Sequence, residues 1–93
     1  MYQLMDSQNS LDERKVVNEK WERQHIKLSL KSFDGRLAVD IRKWFTADDG
    51  VNHPTRKGIM LEISDWHGVF ETFNQMIKDN NINVTHEGKS EKS

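Results

Sequence analysis

The chain has no cysteine among its 93 residues. That absence removes disulfides and thiolate metal sites together, and it fits a reducing, intracellular setting. Proline occurs once, at Pro54, so the chain has few obligatory breaks. No run approaches the roughly 18 apolar residues of a membrane span, so no membrane partner is expected. The first residues, Met1-Tyr2-Gln3-Leu4-Met5-Asp6-Ser7, lack both the basic start and the apolar core of a signal peptide. His25, His53, His67 and His86 show no metal-ligand spacing, which argues against a bound metal. No Ser/His/Asp order, phosphate-cradling glycine loop or dinucleotide fingerprint appears, and Asp48-Asp49 suits a turn better than a paired-carboxylate centre. Neither an enzyme nor a cofactor is expected.

What is present is charge, at 31% of residues against 34% hydrophobic ones. Those proportions describe one domain, near the size where a single core is marginal without help from a partner. The net charge of −1 conceals a segregation. Residues 23–58 hold eight bases (23, 27, 31, 36, 42, 43, 56, 57) and four acids (34, 40, 48, 49), a balance of +4. The remaining six bases and eleven acids leave the ends at −5. A basic middle with acidic ends points to an anionic partner more directly than the mean charge does.

Asp34-Gly35 lies between two runs whose apolar residues alternate, which is the strongest short-range hairpin signal. With those two as loop residues, Phe33 faces Arg36, and Lys31, Ser29, Lys27 and His25 pair with Ala38, Asp40, Arg42 and Trp44. The other face collects Ile26, Leu28 and Leu30 opposite Ile41, Val39 and Leu37, and is expected to be core. A slip of one residue would turn this apolar set into water, so the register is strongly specified. The first face carries Lys27, Lys31, Arg36 and Arg42 with rings at Phe33 and Trp44. Basic side chains interleaved with aromatic platforms are what single-stranded nucleic acid requires, since every base has a π-face. Lys27 opposite Arg42 is a destabilising like-charge pair that a bound anion would relieve.

Around the hairpin, Ser10-Leu11-Asp12-Glu13 has capping-box spacing and predicts a short helix from Leu11 toward Lys20, or a frayed segment docking through Trp21. Residues 1–22 therefore read as an N-terminal extension. Val51 to Ile63 reads as a strand interrupted at Pro54, which marks an edge, a bulge or a break between two strands. Gly58 is placed for close backbone approach, as at a phosphate contact. Ser64 is the expected N-cap of a helix whose Trp66, Val69, Phe70, Phe73, Met76 and Ile77 form one apolar stripe. Asn80-Asn81 suits a left-handed stop. The domain thus spans 23–80, and 81–93 reads as a disordered polar tail. The fold class is α+β: about four antiparallel strands followed by one C-terminal helix. The surplus of aromatics on that helix implies a homodimer, with Trp66, Phe70, Phe73 and Ile77 at the interface.

Two blocks resemble the C-terminal domain of the transcriptional positive cofactor four family. One is Phe33-Asp34-Gly35-Arg36 through Asp40-Ile41-Arg42-Lys43-Trp44-Phe45. The other is Asp49-Gly50, Pro54 and Arg56-Lys57-Gly58-Ile59-Met60-Leu61. Trp66 falls where that family's helix also begins with Trp, and the likeness covers about residues 26–77. The resemblance implies helix-mediated dimers whose strands form channels for single-stranded DNA. It implies stacking by Phe33 and Phe45, and backbone contacts by Lys31, Arg36, Arg42, Arg56 and Lys57. The chain departs from the pattern in having Asp34 where a base is usual and Phe45 where Trp is usual. Strict alternation puts Trp44 on the basic face instead, unless a bulge lies between Arg42 and Phe45. Lacking the acidic, Ser-rich leader of eukaryotic members, the chain resembles bacterial or phage relatives, which implies a cytoplasmic location (nuclear in a eukaryote).

The expected function is sequence-nonspecific binding of single-stranded DNA, with RNA or melted duplex as alternative ligands, in a transcription coactivator or regulator. The rival reading is a dimeric interaction module that recruits transcription or replication machinery, with nucleic-acid contact secondary.

Overall fold

The computed structural model describes residues 10–84 and 89–92. Strands β1 (Ser10–Val17), β2 (Gln24–Phe33), β3 (Arg36–Thr46) and β4 (Asn52–Glu62) precede helix α1 (Ile63–Asp79), and a short β5 (Lys89–Lys92) follows it. All pair antiparallel in one sheet of order β4-β3-β2-β1-β5. The α+β class and the sequence of four strands then one helix are as expected. The identity of the strands is not.

The β2–β3 hairpin has the register that its turn dictates. Asp34 and Gly35 both take positive φ (49° and 78°), as the two-residue I′ turn requires. Phe33 pairs with Arg36, Lys27 with Arg42 and His25 with Trp44. No bulge interrupts β3 against β2.

The segment expected to be helical is strand β1 instead, and it supplies the first of the four strands. Its apolar stripe is too thin to hold a helix on the domain, whereas the open edge of β2 offers a full ladder of backbone partners. Val16 pairs with Ile26, and the register shifts between Ser10 and Asp12. The tail expected to be disordered is likewise part strand: β5 pairs with the outer edge of β1, satisfying backbone groups that an edge leaves open.

The 51–63 stretch holds one strand, β4, and not two. Pro54 is tolerated because β4 is the outermost strand, where a missing N–H breaks no interior ladder. The irregularity falls between Arg42 and Trp44, with its extra residues in β4 and none in β3: Gly58 pairs with Arg42 and Pro54 with Trp44, so Thr55, Arg56 and Lys57 together oppose Lys43.

The helix enters directly from β4, with Glu62 rather than Ser64 at the cap position and no side-chain cap bond. It ends as the asparagines foretold. Asn81 is left-handed (φ 53°), its N–H donates to the Lys78 carbonyl and that of Ile82 to the Ile77 carbonyl, a Schellman closure. Against the sheet, α1 packs on β3 and β4, and the Trp66 indole N–H donates to the Val39 carbonyl at 2.8 Å.

The expected core face is only half buried. Leu28, Leu30, Val39, Ile41 and Leu61 remain partly accessible, and Leu37 and Ile59 are exposed. The better buried hairpin positions lie on the polar face, at His25, Ser29, Ala38 and Asp40. Short side chains there are shielded by the long stems of neighbouring basic and aromatic residues, while one helix cannot cover the apolar side.

Candidate nucleic-acid interface

Arg42 organises the centre of the polar face. Its guanidinium donates to both carboxylate oxygens of Asp40, at 2.9 and 3.1 Å, and to the Thr55 carbonyl at 2.9 Å. The bidentate fork is the strong form of this pair. To reach Thr55, the Arg42 side chain crosses β4 directly over Gly58. A Cβ on Gly58 would sit 2.7–2.8 Å from the Cα, Cβ and Cγ of Arg42. The glycine therefore accommodates Arg42, not an approaching phosphate as its sequence context suggested. Thr55 completes the arrangement: its hydroxyl donates to the Lys43 carbonyl at 2.7 Å and accepts the Lys57 N–H at 3.1 Å. This fixes the bulge that presents Arg56 and Lys57 to solvent.

Lys27 lies half buried beside Arg42. Its ammonium is 3.2 Å from the Glu13 carboxylate of β1 and 4.3 Å from the centre of the Trp44 ring. His25 stacks on the same indole, with centroids 6.3 Å apart. The like-charge opposition of Lys27 and Arg42 is thus relieved within the chain, by Glu13 on one and Asp40 on the other. Glu13 escaped the sequence reading because its segment has no apolar alternation to mark it as a strand.

Burial, and then the charges of Lys15 and Lys27, push the His25 imidazole below its ordinary value of 6.5. The unfolded chain takes up a proton near that value that the folded chain refuses. This contribution to stability is complete above the unfolded value and is lost as pH falls through it toward the lowered folded one. The melting temperature is therefore expected to drop between about pH 7.5 and 5.5, and His25→Gln to flatten that portion of the curve. Thermal melts of the two proteins across this range check it; parallel curves would contradict it.

The rims of the sheet carry the exposed rings. Phe33 is 38% exposed at the hairpin tip, over a concavity of about 370 Å³ lined also by Asp34, Arg36, Ala38 and Glu62. Arg36 pairs with Glu62 at 3.0 Å, an exposed pair of little net strength. At the opposite end of β3, Phe45 is 42% exposed and stacks on His53 with centroids 5.3 Å apart. That pairing depends on the β4 bulge and could not be counted from the sequence. Trp44 is half buried against His25 and Lys27 on the basic face, and Phe33 and Phe45 offer the freer rings; with β3 unbroken against β2, Phe45 alternates onto the face opposite Phe33. Among the described residues, Lys31, Lys43, Arg56 and Lys57 have no ion-pair partner.

The residues proposed for the dimer surface divide. Trp66 is buried in the chain's own core at 8% exposure, and Ile77 is half buried. Phe70 and Phe73 point outward with Val69 and Met76. No group of three or more His, Cys, Asp or Glu among the described residues is placed to hold a metal ion. No helix among them is long and apolar enough to cross a membrane.

Residues 19–71, more than half of the chain, match the family model for Transcriptional Coactivator p15 (PC4). The chain belongs to the PC4 family. PC4 proteins are DNA-binding transcriptional coactivators and regulators that bind single-stranded DNA and interact with transcription machinery; the family is not known for catalysis. The PC4 match spans β2, β3, β4 and the first half of α1, and leaves β1 and β5 outside it. No curated protein and no solved structure matches the chain significantly.

Proposed function

We propose that this PC4-family chain binds single-stranded DNA without sequence preference, as a homodimer, in the service of transcription. Lys31, Arg36, Arg56 and Lys57 hold the phosphates, with Lys27 and Arg42 lining the floor between them. Phe33 and Phe45 stack on bases, and Trp44 braces Lys27. The observation that carries this reading is the pair of exposed rings, Phe33 at the end of β2 and Phe45 near the end of β3, on a sheet whose Lys31, Lys43, Arg56 and Lys57 have no ion-pair partner among the described residues. Phosphate-tracking cations combined with ring platforms are the recurring design for unstructured strands, and neither element reads base identity.

The exposed apolar face of α1 supports dimerisation, since single chains seldom leave so many neighbouring large side chains in water. The same face would serve a recruited protein, which keeps the interaction-module reading in play. Polarisation titrations of an oligo-dT strand and a duplex of equal length, at low salt, separate the two. The strand is expected to bind at least about tenfold more tightly, because stacking needs unpaired bases. Equal affinities, or none, would favour the interaction module.

A further inference from the structure

We infer that Glu13 is a built-in counter-ion that withholds Lys27 from phosphate, so that β1 sets the affinity of the basic face for a strand. The inference rests on the single-strand reading above. Register places the groups concerned on one face. Lys15 of β1 lies directly opposite Lys27, Glu13 lies opposite Ser29, and Arg42 of β3 opposes Lys27 from the other side. Lys27 is therefore flanked by cations on both neighbouring strands. Asp40, the hairpin's own acid on this face, is taken up by the fork of Arg42. Glu13 is the carboxylate that reaches Lys27, and both side chains are largely shielded, at 17% and 29% exposure. The ammonium is held in place over Trp44. A phosphate that is to use Lys27 must displace Glu13 or share the lysine with it.

This device belongs to a strand outside the segment that matches the family. It is a property of β1, added to the β2–β4 surface. Its neighbour supplies a control. Asp12 lies on the opposite face of the sheet, opposite Leu30, and accepts from Arg14 at 2.9 Å. Asp12→Asn changes the net charge as much as Glu13→Gln does, without touching Lys27.

The test measures oligo-dT affinity against salt for the parent, Glu13→Gln, Asp12→Asn, and Lys27→Gln in the parent and Glu13→Gln backgrounds. Glu13→Gln is expected to bind roughly three- to tenfold more tightly, with a salt slope steeper by about 0.7, the value of one further strand phosphate contact. Asp12→Asn should change affinity by less than about twofold, as a screened charge on the far face. Lys27→Gln should cost at least about threefold more in the Glu13→Gln background than in the parent, the non-additivity of a coupled pair. Equal effects of the two acid substitutions, or additive costs of Lys27→Gln, overturn the inference. Melting curves accompany each protein; if Glu13→Gln does not fold, Glu13→Asp, which shortens the reach by one methylene, is read by the same criteria. Absence of strand binding in every protein, parent included, overturns the single-strand reading itself and this inference with it.

Discussion

Phe33→Ala is expected to weaken binding to an oligo-dT strand by roughly five- to a hundredfold, which corresponds to the about 1–3 kcal/mol that a base–aromatic stack contributes. The melting temperature should move little. Phe33 is more than a third exposed at the tip of the β2–β3 hairpin, and the turn beside it is fixed by the backbone of Asp34 and Gly35. Removing the ring takes little from the domain's own packing, because the core contact nearest the helix is made by Trp66 through its bond to Val39. Lys31 and Arg36 stay on their strands, so the salt dependence should persist while the affinity falls. Affinity and melting must be measured on the same preparation. A large loss of stability with unchanged affinity would assign Phe33 to the core and leave the stacking to Phe45.

Phe73→Asp is expected to convert a dimer into a folded monomer. Phe73 is 55% exposed and its stripe neighbour Met76 59%, so neither contributes much to the packing of the single chain. A carboxylate buried at that position in a dimer would have no partner, a cost that no small interface absorbs. Trp66, facing inward on the same helix, should keep α1 seated on β3 and β4. Sedimentation velocity at micromolar concentration reads the outcome. A parent that sediments as a folded monomer would contradict the dimer, and would leave the helix face to another protein.

The parts of the fold legible in the sequence were those governed by local rules. Asp34-Gly35 fixed a turn, the turn fixed a register, and alternation then sorted every hairpin side chain onto one of two faces. Asn80-Asn81 marked the helix end because few other residues accept the left-handed conformation. What escaped was decided by pairing at a distance. The Ser10 capping box is a real helix signal, yet the segment is a strand because the edge of β2 offered it more. Pro54 marked a bulge as one of its three readings, but its place, with Thr55, Arg56 and Lys57 opposite Lys43 and the Thr55 carbonyl bonded to Arg42, shows only when β3 and β4 are paired. Gly58 was legible as a point of close approach but not as to what approaches. The candidate site divides in the same way. Its rings and bases were readable residue by residue, whereas Glu13 and His53 became visible only when strands far apart in the chain were laid side by side.

The central claim is that phosphates are held by Lys31, Arg36, Arg56 and Lys57 of this sheet. Its most direct test is the salt dependence of the parent protein's affinity for an oligo-dT strand. With about four bases on phosphates, log K should fall against log salt concentration with a slope of roughly −3, at about −0.7 per single-strand contact. A slope near zero would contradict the account, whatever the affinity.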